Sequence, residues 1–352
     1  MLTYFKNLAR LAQGDRFLFP RLAIYVLTGQ CNFNCAYCED FGHERNAEAT
    51  AGLPLADALR VLKILRQATD CLILMGGEPL LYPEIQPLVE QARRDLHFRH
   101  LTLSTNGWLL PRAEALLPHL DRLVISLDSV DPQQWSSIIR MPVEAAQAVL
   151  ANIQRCAARQ KADHFQLIIN AVLAPETLPG APALLDFCRQ NRILISFSPQ
   201  MVNNWPRYEL ITSPAYTNFI RHLIHAKQRG GPMVGSLAYL RMLLNLQPFS
   251  CYPTLTPRIL PNGDLAYPCR PIEKSGNTHG GRPCNLLAVD SWTDAQAASL
   301  ARFGEPPQVC NSCFQQCYAE PSLMQAQPLA LLGELLRYPA SRHATLDRYA
   351  PG

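Results

Sequence analysis

The chain has 352 residues, which at about 150 per domain allows two domains or one large α/β domain with an appendage. A hydrophobic fraction of 48% and a charged fraction of 17% suit a packed core and argue against a chain held open by charge excess. The net charge of +4 comes without a basic run, so no nucleic-acid partner is expected, and no apolar stretch reaches the roughly 18 residues of a transmembrane segment. The first residues, MLTYFKNLARLAQGDRF, lack the apolar run and small-residue cleavage site of a signal peptide, and a cytoplasmic location is expected.

From residue 22 to 230, apolar runs of strand length alternate with amphipathic segments of helix length. Strands are predicted over 22–26, 71–75, 100–104, 122–127, 165–172 and 193–197, and helices over 54–67, 84–94, 112–117, 143–159, 181–191 and 214–229. Six β/α units in succession suit a barrel or a doubly wound parallel sheet. Polar motifs stand at the C-terminal ends of successive strands, where barrel enzymes carry their chemistry, and this favours a partial (β/α)6 TIM-like barrel.

Beyond residue 230 the composition changes. Gly-Gly-Pro at 230–232, an apolar helix over 237–246 and a Pro- and Gly-rich stretch over 248–283 mark a smaller second unit. Residues 258–267 read as a hairpin turning at Asn262-Gly263, a dipeptide suited to the positive φ angles of a tight turn. The Leu-rich end reads as a docking helix, with a membrane-surface helix as the other reading. The expected division is 1–230, 231–322 and 323–352.

Twelve cysteines are many for a reducing compartment, where metal ligation or redox chemistry explains them better than disulfides. Cys71, Cys156 and Cys188 stand alone in apolar contexts and read as small buried hydrophobes. Cys31, Cys35 and Cys38 follow the first strand directly. Three thiolates at this spacing would leave one iron of a [4Fe–4S] cluster without a protein ligand, open to a substrate or cofactor. Zinc is the competing reading, but a structural zinc site closes with four ligands, and the nearest candidate for a fourth is His43.

Cys31-Asn-Phe-Asn-Cys35-Ala-Tyr37-Cys38 resembles the signature of the radical S-adenosylmethionine (SAM) superfamily, with Tyr37 as the aromatic residue before the last cysteine. The resemblance implies a partial barrel whose open iron chelates SAM. An electron from the reduced cluster then releases methionine and a 5′-deoxyadenosyl radical, which takes a hydrogen atom from substrate. Met75-Gly76-Gly77-Glu78-Pro79 is similar to the superfamily's Gly-Gly-Glu-Pro element, which holds the SAM ammonium group. Glycine permits close backbone approach, and a glutamate complements a cationic amine. Ser104-Thr105-Asn106-Gly107 looks like the superfamily's Thr-Asn-Gly loop, and Ser126 in Ser126-Leu127-Asp128-Ser129 stands where related enzymes contact SAM. Arg140 resembles the Ile-Arg-Gly arginine, although Met141 replaces the glycine; it is read either as a partner of the SAM carboxylate or as a surface arginine. Asn170 on the fifth strand is a weaker candidate for the same site.

Cys251 and Cys269 flank the hairpin, and Cys310, Cys313 and Cys317 follow. This set is similar to the Twitch appendage of some radical SAM enzymes, a shortened SPASM domain carrying one auxiliary [4Fe–4S] cluster. The resemblance implies Cys251, Cys269, Cys310 and Cys313 as ligands, with Cys317 able to replace one of them and Cys284 the least placed. A full SPASM domain has a longer series than the six cysteines found here, and a zinc ribbon is the alternative. With four protein ligands the auxiliary cluster could only carry electrons; with three it could bind substrate.

The expected function is therefore a radical SAM enzyme that oxidises a small-molecule biosynthetic intermediate, by dehydrogenation or crosslinking, with the auxiliary cluster as electron acceptor. A flavodoxin- or ferredoxin-type protein is the implied electron donor. A peptide-modifying maturase of SPASM type is less expected because no peptide-recognition domain precedes Cys31. A non-catalytic iron–sulfur or zinc scaffold would have no use for Gly76-Gly77-Glu78 beside an open cluster. Trp205, Arg207, Tyr208 and Glu209, after the sixth strand, either line the substrate pocket or form a surface loop.

Overall fold

The computed structural model describes residues 2–41, 51–202, 205–274, 284–307 and 313–337. Six strands form where six were predicted: β1 (Ala23–Val26), β2 (Cys71–Met75), β3 (His100–Thr105), β4 (Arg122–Ser126), β5 (Gln166–Leu173) and β6 (Leu194–Pro199). Their order is that of a partial (β/α)6 TIM-like barrel. Helices α1 (Leu2–Ala12), α2 (Leu55–Ala68), α3 (Ile85–Arg94), α4 (Pro132–Ile139), α5 (Val143–Arg159) and α6 (Ala181–Gln190) precede or link them. Contacts divide the chain into two units, Leu22–Ile168 with Pro257–Glu305, and Met1–Arg21 with Ile169–Thr256 and Pro306–Gly352.

In the first unit, β1 to β4 pair in parallel, with Ala23 opposite Leu72, Cys71 opposite His100 and Thr102 opposite Arg122. Helix α2 turns Ala58, Val61, Leu62, Ile64 and Leu65 to the core at helical spacing, and every residue of β1 is buried, as in a sheet covered on both faces. The α-helix predicted over 112–117 is replaced by two 3₁₀ segments, Leu110–Arg112 and Glu114–His119. Pro111 and Pro118 explain this, since neither supplies the N–H that a continuous α-helix requires. Helix α4 was not predicted. Its start is nevertheless written in Asp131-Pro132, because the Asp131 carboxylate accepts from the Gln133 N–H at 2.9 Å and Pro132 fills the first helical position.

The predicted hairpin forms from Arg258–Ile259 and Asp264–Ala266, with Gly263 at a φ of +89°. It does not begin a separate layer. Arg258 and Ile259 pair in parallel with Ile24 and Tyr25 of β1, and Cys284–Asn285 adds a further antiparallel strand outside the hairpin. A strand edge carries unpaired N–H and C=O groups, and the hairpin satisfies those on β1. The contact units thus differ from a division at residue 230.

In the second unit the helix Gln316–Ala326, which runs across the predicted 322/323 boundary, is buried at Gln316 and from Tyr318 to Gln325. Glu320 and Glu334 accept from the backbone N–H groups of Ser236 and Leu237 at 2.7 and 2.8 Å, capping the helix Leu237–Asn245 where its dipole is positive. Lys227 Nζ lies 3.7 Å from Glu334 Oε1, both side chains being buried. Burial lowers the Lys227 pKa and raises that of Glu334, each opposed by the other's charge. The Leu-rich end forms the helix Pro328–Arg337, with Leu329, Leu332 and Leu336 exposed. No described helix is long and apolar enough to cross a membrane.

Candidate cluster and cofactor site

The cysteine loop leaves β1 as a continuation of the sheet. Leu27 N donates to Met75 O at 2.7 Å, Gly77 N to Thr28 O at 2.9 Å and Glu78 N to Gln30 O at 2.7 Å. A Cβ on Gly77 would stand 2.3 Å from Gln30 O, and one on Gly76 2.8 Å from Thr28 O. Two backbones can run this close only where one of them lacks side chains. The first requirement for the two glycines is therefore packing against the cysteine loop, whereas the sequence suggested approach to the cofactor.

On its other side the loop hangs from α4. Asn34 N and Ala36 N donate to Ile139 O and Ile138 O at 3.1 and 2.8 Å, using carbonyls that a helix end leaves free. Arg140 ends this helix in the left-handed region at φ +53°, and its side chain is exposed.

Cys31, Cys35 and Cys38 line one cavity of about 160 Å³ together with Tyr37, Gly76, Gly77, Ser104, Asn106 and Ser126. Phe33 N donates to Cys31 Sγ at 3.4 Å and Phe41 N to Cys38 Sγ at 3.2 Å. Burial pushes the Cys31 thiol up to about 11 and raises Cys35 further, with Asp128 the next cause at Cys35. A bound metal would reverse that preference by holding the thiolates directly.

Beneath the cavity Glu78 is 0% exposed. Its Oε1 accepts from Thr105 Oγ1 at 2.6 Å and Leu80 N at 3.0 Å, and its Oε2 accepts from Asn106 N at 2.7 Å. Burial raises its pKa to about 7 against the pull of these donors. Asn106 Nδ2 in turn donates to Asn32 Oδ1 at 2.6 Å, while the buried Asn32 Nδ2 has no hydrogen-bond partner among the described residues. Tyr37 donates its hydroxyl to Asp128 Oδ2 at 2.5 Å.

The structure thus gathers Cys31, Cys35, Cys38, Tyr37, Gly76, Gly77, Asn106 and Ser126 around one space, with Glu78 holding the walls from below. Arg140 and Asn170 are not in that wall. Asn170 belongs to the other unit, where its Oδ1 accepts from Ser196 Oγ at 2.8 Å. Sequence reasoning missed Asn32, Thr105 and Asp128 as site residues, although each lies inside a motif already quoted. Three sulfurs on one wall, N–H donors on two of them and an orphaned amide donor beside them suit a [4Fe–4S] cluster with one open iron.

The later cysteines fall in both units. Cys269 is buried, and the next residue, Arg270, lies 3.7 Å from Asp40, two positions after Cys38. Cys284 occupies the outermost strand. In the other unit Cys251 and Cys313 are buried, Cys251 Sγ lies 3.7 Å from Ser322 Oγ, and the Cys317 carbonyl accepts from Thr256 Oγ1 at 3.0 Å. Cys310 and His43 lie outside the described residues. Cys71, Cys156 and Cys188 are buried, as expected. Among the described residues no three His, Cys, Asp or Glu side chains gather around a single ion.

Of the predicted pocket residues, Trp205 packs edge-on against Phe314 at 5.1 Å, beside Cys313. Arg207 pairs with Glu176 at 2.9 Å and Glu209 at 3.2 Å, and Tyr208 is 73% exposed.

The pattern of the radical SAM superfamily matches residues 25–188. The chain is 32% identical over 238 residues to "GTP 3',8-cyclase 1" of Pseudomonas aeruginosa, a match covering 62% of this chain and 68% of that one. It is 30% identical over 198 residues to "GTP 3',8-cyclase" of Rhodococcus opacus, covering 53% of this chain and 54% of that one, so the match spans about half the length of that relative. Among solved structures it is similar to Streptococcus suis SuiB bound to precursor peptide SuiA, with a TM-score of 0.59, 20% identity and coverage of 82% and 67%. It is also similar to anSMEcpe with bound AdoMet and Kp18Cys peptide, with a TM-score of 0.54, 14% identity and coverage of 89% and 98%. At those identities the likeness concerns the fold.

Barrel, cysteine loop and glycine-lined cavity together define a SAM-dependent iron–sulfur enzyme. The chain belongs to the radical SAM superfamily. A [4Fe–4S] cluster and SAM follow as its cofactors, and the reading as a non-catalytic scaffold is set aside.

Proposed function

We propose that Cys31, Cys35 and Cys38 hold the SAM-cleaving cluster and that the enzyme acts on a small molecule. The observation that carries this reading is the single cavity joining the three thiols to Gly76, Gly77, Asn106 and Ser126. When bound there, cluster and SAM supply a 5′-deoxyadenosyl radical able to take hydrogen from an unactivated carbon. The chain's own residues bind and orient. Backbone groups of Gly76 and Gly77 and the Ser126 hydroxyl, which line the cavity, would meet SAM, Glu78 would hold the β3 loop in register, and Phe33 and Trp135 would keep water from the wall. Arg140 and Asn170 do not line that cavity and are kept as proposed contacts of SAM. The test is anaerobic reconstitution followed by reduction with SAM present. Release of 5′-deoxyadenosine that disappears in a Cys35→Ala variant supports the reading, and release that persists in that variant refutes it.

A second, auxiliary [4Fe–4S] cluster is proposed within 231–322, on Cys251, Cys269, Cys310 and Cys313, with Cys317 as a replacement. Support comes from the concentration of six cysteines after residue 250 and from the Asp40–Arg270 pair, which ties the segment bearing Cys269 to the first cysteine loop. With this cluster in place, a substrate radical could lose a proton to solvent and an electron to the cluster, for a net oxidation. A flavodoxin- or ferredoxin-type protein would supply electrons to the first cluster, in the cytoplasm.

One relative-based alternative concerns the substrate. Identity of 32% to a GTP 3',8-cyclase favours GTP over a peptide as the first compound to try. GTP-stimulated consumption of SAM, with a cyclised guanine product found by mass spectrometry, would support it; SAM turnover indifferent to GTP would return the search to other small molecules.

A further inference from the structure

We propose that Asn32 is a SAM-binding residue: held by Asn106, its side-chain amide keeps an unpartnered N–H beside the cavity to donate to the carboxylate of bound SAM. The inference rests on Cys31, Cys35 and Cys38 holding the cluster to which SAM binds.

The direction of the Asn32 amide is fixed by a chain of hydrogen bonds that starts at the backbone. The Trp108 N–H, which can only donate, gives its hydrogen to Asn106 Oδ1 at 3.1 Å. Asn106 therefore presents its NH2 on the other side, where Nδ2 donates to Asn32 Oδ1 at 2.6 Å. Asn106 is anchored again by its own N–H, which donates to Glu78 Oε2 at 2.7 Å. With its oxygen engaged, Asn32 has Nδ2 left as the end of the chain, buried and without a hydrogen-bond partner among the described residues. Flipping the amide would only set one NH2 group against another. A buried donor in this state is costly until an acceptor reaches it.

The surroundings select that acceptor. Cys31 and Phe33, on either side of Asn32, line the cavity, and so does Asn106. Among the described residues of that lining there is no Lys, Arg or His. SAM carries one anionic group, its carboxylate, and from this wall only neutral donors can meet it. An amide N–H donating to a carboxylate makes a charge-assisted bond, stronger than one between two neutral groups.

The full chain, reconstituted anaerobically and left oxidised so that SAM is bound without being cleaved, tests this as wild type, Asn32→Asp and Asn32→Ala. The readouts are iron per chain and the Kd for SAM by equilibrium dialysis. Asn32→Asp keeps an oxygen for Asn106 Nδ2 and removes the donor, whereas Asn32→Ala removes both without adding charge. Both variants should keep wild-type iron and bind SAM roughly tenfold more weakly. 5′-Methylthioadenosine, which has the nucleoside without the carboxylate, should bind all three proteins alike. Wild-type SAM affinity in Asn32→Asp would overturn the proposal, leaving Asn32 only a support for Asn106. Wild-type affinity in Asn32→Ala would overturn it as well, since a loss in Asn32→Asp would then come from the added charge; this arm decides alone if Asn32→Asp does not fold. Iron lost from both variants would assign the amide to cluster assembly instead, and 5′-methylthioadenosine weakened as much as SAM would overturn the carboxylate contact. If Cys31→Ala/Cys35→Ala/Cys38→Ala retains wild-type iron, the ligand reading itself fails, an outcome distinct from a triad that loses iron beside Asn32 variants of unchanged SAM affinity.

Discussion

Glu78 and Asn106 meet across the ends of β2 and β3, the Asn106 N–H donating to Glu78 Oε2 at 2.7 Å with the carboxylate sealed from solvent. A carboxylate this deep is costly to keep charged, and burial raises its pKa from 4.5 to about 7. The folded chain therefore holds a proton on Glu78 between those values that the unfolded chain has released. Stability from this group is fully present below about pH 4.5 and is lost as pH rises through about 7. Over that window the loss amounts to roughly 3 kcal/mol at about 1.4 kcal/mol per pK unit. Denaturant unfolding of the metal-free chain should show this decline, and Glu78→Gln should flatten it. A Glu78→Ala variant, which strands three donors, should also bind SAM more weakly after reconstitution.

Glycine substitutions separate packing from propensity. Gly77→Ala forces a Cβ to within 2.3 Å of the Gln30 carbonyl, a backbone atom that cannot swing aside. A loss of about 1–3 kcal/mol is expected, together with impaired cluster assembly. Gly333→Ala in the helix Pro328–Arg337 meets nothing within 4 Å and should be neutral or stabilising by up to about 1 kcal/mol. Thermal unfolding of the two variants checks both signs at once.

Two clusters together would give about eight irons per chain. Replacing Cys31, Cys35 and Cys38 by alanine should remove half, while Cys71→Ala, on β2 and apart from that cavity wall, should remove none. A Cys251→Ala/Cys313→Ala variant is expected to keep cleaving SAM while losing product. Iron analysis combined with separate assays for 5′-deoxyadenosine and product distinguishes these cases.

Lys227→Met should destabilise the second unit by about 3–5 kcal/mol, because Glu334 and Glu320 would stay buried without their cation. Adding Glu334→Gln, which preserves an acceptor for the Leu237 N–H, should recover part of that loss. A double-mutant cycle measured by denaturant unfolding gives the coupling.

The barrel was legible because its strands are long enough and buried enough to read as apolar runs, and the cysteine loop because its spacing is itself the signal. What could not be read were short elements and distant partners. The strands Arg258–Ile259 and Cys284–Asn285 have two residues each, too few for a period, so their addition to the β1 side of the sheet left no trace. The link from Tyr37 to Asp128 spans 91 positions, and that from Asn106 to Asn32 spans 74; both depend on which strand ends lie side by side. Helix α4 is a different case, since Asp131-Pro132 announced it and only its shortness hid it.

The pairing of Arg258–Ile259 with β1 bears on how this protein can be cut down for study. Truncation at residue 230 would retain every barrel strand and all three N-terminal cysteines, yet it would strip the partner from β1, the strand that feeds the cysteine loop. The bared N–H and C=O row would invite another copy to add its own strand there, so such a fragment should self-associate. A minimal SAM-cleaving unit must therefore carry the hairpin with it, although more than a hundred residues separate the two along the chain.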